Sequence, residues 1–111
     1  MKKIKLGDIY FIENPRLGKS MHGHPCLVTG VTLNSVFVSF ISSKFDLKGS
    51  DDLMIEKSDG FGTTGLKFES FIIANPITAV SMTDFLDAKY LGFISGELKI
   101  KIEKWWGSKL N

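Results

Sequence analysis

Cysteine is nearly absent from this chain, and long apolar runs are missing altogether. The single cysteine, Cys26, cannot form an internal disulfide, so nothing indicates an oxidising compartment. Its place in an apolar run predicts a buried, inert thiol. No apolar run approaches the roughly 20 residues of a membrane-spanning helix, and the first residues lack the long apolar segment of a signal peptide. We therefore expect a cytoplasmic protein with no membrane partner.

A strong charge imbalance is also lacking. Fourteen basic against twelve acidic residues give a formal net charge of +2, which permits nucleic-acid binding without arguing for it. The hydrophobic share of 43% and the charged share of 23% are typical of a globular protein. With 111 residues, enough chain is present for one real core. We predict a single domain over residues 1–111, without internal repeats.

What the chain does have is a series of short β-rich segments separated by turn residues. Alternating or continuous apolar residues, many of them β-branched or aromatic, predict strands. The predicted strands are Gly7–Ile12, Pro25–Leu33, Ser35–Ile41, Leu53–Glu56, Phe68–Ala74 and Ile77–Met82. Gly30 predicts a bulge or a close backbone approach in the second of these, and the glycine-rich Lys57–Gly65 predicts a mobile loop.

The C-terminal part of the chain has the spacing of a helix. Its apolar stripe consists of Leu98, Ile102, Trp105 and Trp106. Ser95 is the candidate N-cap, and Gly107 predicts the end of the helix. Upstream, Thr83 is expected to cap a short turn over Asp84–Lys89. We interpret the tryptophans as core or dimer contacts rather than a base-stacking platform. Short strands with one terminal helix predict a mainly β fold, either a small barrel or a β-rich α+β fold.

One segment, Arg16–Cys26 (RLGKSMHGHPC), holds both histidines, the only arginine and the only cysteine of the chain. Its glycines and proline predict a loop. Histidine titrates near neutral pH, and the arginine fork fits a phosphate. A loop that concentrates such scarce chemistry between two apolar strands is where we expect function.

The residues themselves leave several roles open. His22 and His24 are candidates for general acid or base, although exposed loop histidines are the alternative. Arg16 is the best candidate for a phosphate clamp. The hydroxyls of Ser42 and Ser43, at the end of the third strand, can donate to a phosphate or bond to the local backbone. Too few ligands are present for a metal site, and no cofactor motif occurs, so we expect neither a metal nor a cofactor.

The order of these motifs resembles that of the MazF/PemK toxin family. In that family a G-D-[IL]-[WY] strand is followed by a glycine-containing loop and by a basic residue before proline. The matching elements are, in order, Gly7-Asp8-Ile9-Tyr10, Gly18 and Gly23, His24-Pro25, Leu27-Val28, Ile41-Ser42-Ser43, Thr64–Val80 and Leu91–Trp106. The resemblance spans almost the whole chain, and its strength lies in the order and spacing of the elements, since each motif alone is loose.

The resemblance implies a growth-inhibiting toxin with an SH3-like barrel and a C-terminal helix, acting as a homodimer. It also implies metal-independent cleavage of single-stranded RNA, commonly messenger RNA, and neutralisation by a cognate antitoxin protein. The family's catalytic arginine and hydroxyl correspond here to His24 and to Ser42 or Ser43. The predicted catalytic residues are therefore His24, Ser42, Arg16 and His22, and the predicted RNA-binding residues are Lys19, Ser20, Ser43 and Lys44.

The sequence departs from the family at its catalytic arginine, which His24 replaces. A neutral histidine cannot supply the fixed charge of an arginine, although it can move a proton. Three interpretations stay open. In the first, His24 takes the catalytic role of the arginine and Arg16 supplies the fixed charge. In the second the chain is a weakened or inactive homologue, and in the third it binds RNA or a partner without cutting. A gyrase-directed toxin of the CcdB type, which shares this fold, is a further alternative.

Overall fold

The structure, a computed structural model, describes residues 3–12, 23–59, 61–75 and 77–110. The strands are β1 (Asp8–Ile12), β2 (His24–Val31), β3 (Ser35–Ser42), β4 (Leu53–Ile55), β5 (Ser70–Ile72), β6 (Thr78–Ser81) and β7 (Lys89–Phe93). The helices are α1 (Met82–Phe85) and α2 (Gly96–Leu110). Short 3₁₀ turns span Phe45–Leu47, Lys57–Asp59 and Phe61–Thr63. In the described residues, no helix combines the length and apolar character needed to cross a bilayer.

The strands form one curled antiparallel sheet in the order β4-β5-β3-β2-β1-β7. One edge of β3 pairs with β2, and its other edge is shared by two strands. β6 pairs with the first half of β3, from Ser35 to Val38, whereas β5 pairs with its end, at Ile41 and Ser42. Because β3 changes partner along its length, the sheet curls into a half-barrel. The predicted mainly β fold with a C-terminal helix is therefore confirmed.

Both faces of this sheet are apolar, and alternate residues of each strand supply them. Ile9 and Tyr10 are neighbours in β1 but belong to opposite clusters. Leu98 and Ile102 of α2 pack on the cluster that contains Ile9, and the half-buried Trp105 and Trp106 pack against the same cluster. Phe85 of α1 packs on the cluster that contains Tyr10. Because both faces are covered, β1 and β2 appear in the sequence as nearly continuous apolar runs.

The bulge predicted at Gly30 is confirmed. The register of β2 against β3 shifts between Val28 and Gly30, so the intervening Thr29 is the extra residue. A Cβ at Gly30 would lie 3.3 Å from the ring of Phe37, so the absence of a side chain lets this ring lie across the bulge.

Two predicted helix boundaries are wrong. Ser81, rather than Thr83, caps α1, because its Oγ accepts a hydrogen bond from the Asp84 N–H at 3.1 Å. The helix therefore starts at Met82, within the segment predicted as strand. α2 continues through Gly107 to Leu110, so this glycine does not terminate it. A glycine lowers helix propensity by only about 1 kcal/mol, and packing of α2 on the sheet outweighs that penalty.

β7 was not predicted as a strand, because its sequence KYLGF carries a lysine and a glycine and lacks alternation. It forms through tertiary contacts. On one side it pairs with β1, and on the other the segment 63–66 lies against it. A Cβ on Gly65 would overlap the Leu91 carbonyl, and one on Gly92 would overlap the Thr63 carbonyl. Thr63 Oγ1 also donates to the Phe93 carbonyl at 2.8 Å. The segment predicted as a mobile loop thus contains two 3₁₀ turns and is joined to β7.

An ion pair joins α2 to the 3₁₀ turn that follows β4. Lys101 Nζ donates to Asp59 Oδ2 at 2.9 Å, and the same oxygen accepts the Glu56 N–H at 3.0 Å. The hydrogen bond from Lys101 is the main reason that the pKa of the Asp59 carboxyl lies below its ordinary value. The charged form of Asp59 is therefore favoured by folding.

We predict that Asp59→Asn lowers the free energy of unfolding by about 1 kcal/mol near neutral pH. Because the folded-state pKa of Asp59 is lowered, this contribution is present above the unfolded pKa of about 4 and is lost as pH falls through the folded-state value. Urea unfolding of both proteins at neutral and strongly acidic pH measures this difference. Asp87→Asn, at an exposed aspartate, is the control, and an equal difference at both pH values would contradict the prediction.

Candidate functional site

An open cavity of about 630 Å³ lies where β2 begins and β3 ends. Four of the residues predicted from the sequence line it: His24, Ser42, Ser43 and Lys44. They come from two different strands and the turn after β3, and the antiparallel sheet brings them together. The cavity is therefore the candidate site.

The pairing of β2 with β3 brings His24 and Ser42 to the same end of the sheet. Cys26 pairs with Phe40 near this end, so the start of β2 lies beside the end of β3. His24, two residues before Cys26, and Ser42, two residues after Phe40, both line the cavity. The His24 ring also lies edge-on to the Phe40 ring, with centroids 6.2 Å apart. This contact supports one side of the imidazole.

The Ser42 hydroxyl makes a local turn bond. Its Oγ accepts a hydrogen bond from the Lys44 N–H at 3.1 Å, which is the structural role that the sequence left open for this residue. A serine hydroxyl has one hydrogen to donate and two lone pairs. The bond from Lys44 uses one lone pair and leaves the hydroxyl able to donate. The turn thus fixes the oxygen at the cavity without occupying its proton.

The polar lining of the cavity favours anions. Lys44, Lys67 and Lys89 all contribute to it, and none of the described lining residues carries a carboxylate. The nearby Glu69 is held elsewhere, because its Oε2 accepts the Lys57 N–H at 2.9 Å. Three lysines, with no carboxylate among the described residues that line the cavity, create a positive potential in a concave surface, where field lines are focused.

The rest of the lining is apolar, including Phe11, Pro25 and Phe68. Phe68 lies in the turn before β5 and is 68% exposed, although it is a large aromatic residue. The Ser70 hydroxyl donates to the Phe68 carbonyl at 2.9 Å and so fixes the backbone of this turn. The cavity therefore combines cationic, hydroxyl and flat apolar groups.

Lys67, Phe68 and Lys89 were missed by the sequence analysis. They reach the cavity through strand pairing: β5 places Phe71 beside Ser42, and β7 places Lys89 beside Phe11. The only sequence signal was the pair Lys67-Phe68, a cation and an aromatic residue directly after a glycine-containing turn.

The other predicted residues cannot be placed. Arg16, Lys19, Ser20 and His22 fall within residues 13–22, outside the described part of the chain. Their presence at the cavity stays a prediction. Gly23, the first described residue after this segment, precedes His24 and lines the cavity.

Cys26 is fully buried, as predicted. Burial raises the pKa of its thiol to about 12, and a backbone hydrogen bond from Tyr10 only partly opposes this shift. The thiol is therefore protonated at neutral pH and unsuited to attack or metal binding. Across residues 3–12, 23–59, 61–75 and 77–110, no three His, Cys, Asp or Glu side chains are grouped so as to hold a metal ion.

A second cavity of about 680 Å³ lies between α2 and the first residues of β1. Its charged lining is mixed, with Lys5 and Lys99 beside Asp8 and Glu103. It contains none of the residues predicted from the sequence to be functional. Its chemistry therefore favours no particular ligand class, unlike that of the lysine-lined cavity.

No protein-family model matches the chain, and no curated protein matches it at a significant level. The fold and cavity together define a small, mainly β protein with a cationic cleft at the end of a curled sheet.

Proposed function

We propose that this protein is the toxin of a type II toxin–antitoxin system and a metal-independent endoribonuclease acting on single-stranded RNA. The observation that carries the proposal is the cavity that His24 and Ser42 both line, together with three lysines. These are the two positions that correspond to the catalytic arginine and hydroxyl of the MazF/PemK family. The same resemblance supports the finer parts of the proposal: an SH3-like barrel, a homodimer, a cognate antitoxin and a cytoplasmic location.

The reaction is a transesterification within the RNA. The ribose 2′-oxygen loses its proton to His24 and attacks the adjacent phosphorus in line. The bond from phosphorus to the 5′-oxygen breaks, and that oxygen takes up a proton, for which His22 is the candidate donor. The products are a 2′,3′-cyclic phosphate and a 5′-hydroxyl end. Atoms and charges balance without a metal ion or water.

The extra negative charge on the phosphate oxygens needs stabilisation in the transition state. The Ser42 hydroxyl, whose oxygen accepts the Lys44 N–H and which keeps a hydrogen to donate, is the candidate donor to one of these oxygens, and Lys44 is the candidate source of positive charge from the same turn. Arg16 is the candidate for a bidentate clamp. This division of roles places proton transfer on His24 and charge stabilisation on other groups, which accounts for a histidine where the family has an arginine.

A second function, RNA binding without cleavage, is favoured by one observation. The Ser42 oxygen already has a structural role in the turn at Lys44. If this bond is its only purpose, the cavity is a binding surface whose lysines hold the RNA backbone. Cleavage and binding are separated by experiment.

The test is incubation of the purified protein with a long single-stranded RNA in EDTA, followed by mapping of new 5′ ends. We expect cuts at defined sites that leave 5′-hydroxyl ends, and no cut where the site carries a single 2′-deoxyribose. Binding without cuts would assign the second function. If the folded protein neither binds nor cuts RNA, both functions are overturned. A gyrase supercoiling assay would then test the remaining alternative.

A further inference from the structure

Phe68 is the most exposed aromatic ring in the described residues that line the lysine-lined cavity. A phenylalanine ring that is 68% exposed gives up most of the free energy that its burial would supply. The ring also does not lie on a frayed segment. The bond from the Ser70 hydroxyl to the Phe68 carbonyl fixes one side of its turn, and the close approach of Gly65 to Leu91 fixes the other.

Two lysines line the same cavity as this ring. Lys67 precedes it in the chain, and Lys89 enters the cavity from β7. Glu69, which follows it, bonds to the backbone of Lys57. An exposed flat apolar ring and two lysines therefore line the same cavity. Aromatic rings interleaved with cations are how proteins hold single-stranded nucleic acids, because each base has a π-face and each phosphate a charge.

We propose that Phe68 stacks on a base of single-stranded RNA and that Lys67 and Lys89 contact the phosphates beside that base. The inference rests on the proposed function, and it extends the site from the cleaved bond to an adjacent nucleotide. It also predicts that binding is tolerant of base identity at this position, since stacking reads no base edges. An acidic peptide would meet the same lysines but would not require a planar partner for the ring.

The experiment measures binding by fluorescence anisotropy with a short single strand of 2′-deoxyadenosines, which cannot be cleaved by the proposed reaction. Phe68→Ala should weaken its binding on the order of 10-fold. Phe68→Tyr should bind as well as the wild type, whereas Phe68→Leu should bind as weakly as Phe68→Ala. Phe93→Ala removes another partly exposed phenylalanine, in the second cavity, and should leave binding unchanged.

A matched strand with abasic residues isolates the stacking. It carries the same phosphates, so the effect of Phe68→Ala should vanish with it. An equal loss with both strands would overturn stacking and indicate contact with the backbone or a site for a peptide. Full binding by Phe68→Leu would also overturn it. If the wild-type protein cleaves RNA while Phe68→Ala binds as well as Phe93→Ala, this inference fails and the proposed function stands.

The lysines are tested by the salt dependence of the same binding. Each lost phosphate contact should reduce the slope of log affinity against log salt by about 0.7 for a single strand. We expect this change for Lys67→Gln and for Lys89→Gln, and none for Lys99→Gln, whose lysine lines the second cavity. Unchanged slopes for both cavity variants would remove the lysines from the inference. If the wild-type protein binds neither strand and cuts no RNA, both this inference and the proposed function fail.

Discussion

Replacing His24 by alanine should lower the rate of RNA cleavage about 100-fold or more, with little change in the affinity for RNA. A positioned group that transfers a proton in the transition state typically contributes a factor of roughly 10² to 10⁴. The lysines proposed to hold the substrate are untouched by this substitution. Single-turnover cleavage of a defined RNA, with the binding constant measured separately on a 2′-deoxy strand, resolves the two quantities.

His24→Arg separates proton transfer from charge stabilisation. An arginine remains protonated at working pH, so it cannot act as the base, and we expect this variant to be as impaired as His24→Ala. Cleavage at or above the wild-type rate would instead give His24 the charge-stabilising role of the family arginine. Asn34→Ala, at the exposed far end of the β2–β3 hairpin, is the control and should cleave normally.

The part of the site that was predictable from the sequence depends on local patterns. The alternation in β3 and the apolar run of β2 define two adjacent strands joined by a tight turn, and the bulge at Gly30 was also anticipated. Once such a hairpin is drawn, its open end must bring the start of β2 close to the end of β3. The hairpin thus accounts for the presence in one cavity of His24 and Ser42, two residues that were selected from the sequence by the family resemblance.

The remaining part of the cavity depends on contacts between distant parts of the chain. Lys89 is placed by the pairing of β7 with β1, and β7 carries too weak a pattern to be recognised as a strand. Phe68 is placed because β5 pairs with the end of β3, after β6 has paired with its beginning. The alternation of apolar residues along β3 does not show that β5 and β6 share one of its edges. The start of α1 after Ser81 and the continuation of α2 through Gly107 differ from the predicted boundaries for a related reason, since packing outweighs single-residue preferences.

The contact between the segment 63–66 and β7 connects this long-range architecture to function, and Gly65→Ala should disrupt it. Gly65 has a φ of +74°, a region that costs other residues about 1–2 kcal/mol. A Cβ there would also overlap the Leu91 carbonyl, which is backbone and cannot rotate away. Overpacking of this kind adds roughly 1–3 kcal/mol. We expect a loss of about 3 kcal/mol in the free energy of unfolding, measured by urea denaturation.

Gly62→Ala is the matched control, because Gly62 is an exposed glycine three residues away with no atom within 4 Å of the added methyl group. It should change stability by about 0.5 kcal/mol or less. Gly65 and Phe68 lie in the same turn region of the cavity, so the folded fraction of Gly65→Ala should also bind single-stranded nucleic acid more weakly than Gly62→Ala. Equal stability of the two variants would mean that the segment can leave β7 freely. Lower stability with unchanged binding would mean that Phe68 and Lys67 keep their positions without this contact, because the bond from Ser70 to the Phe68 carbonyl is sufficient to hold them.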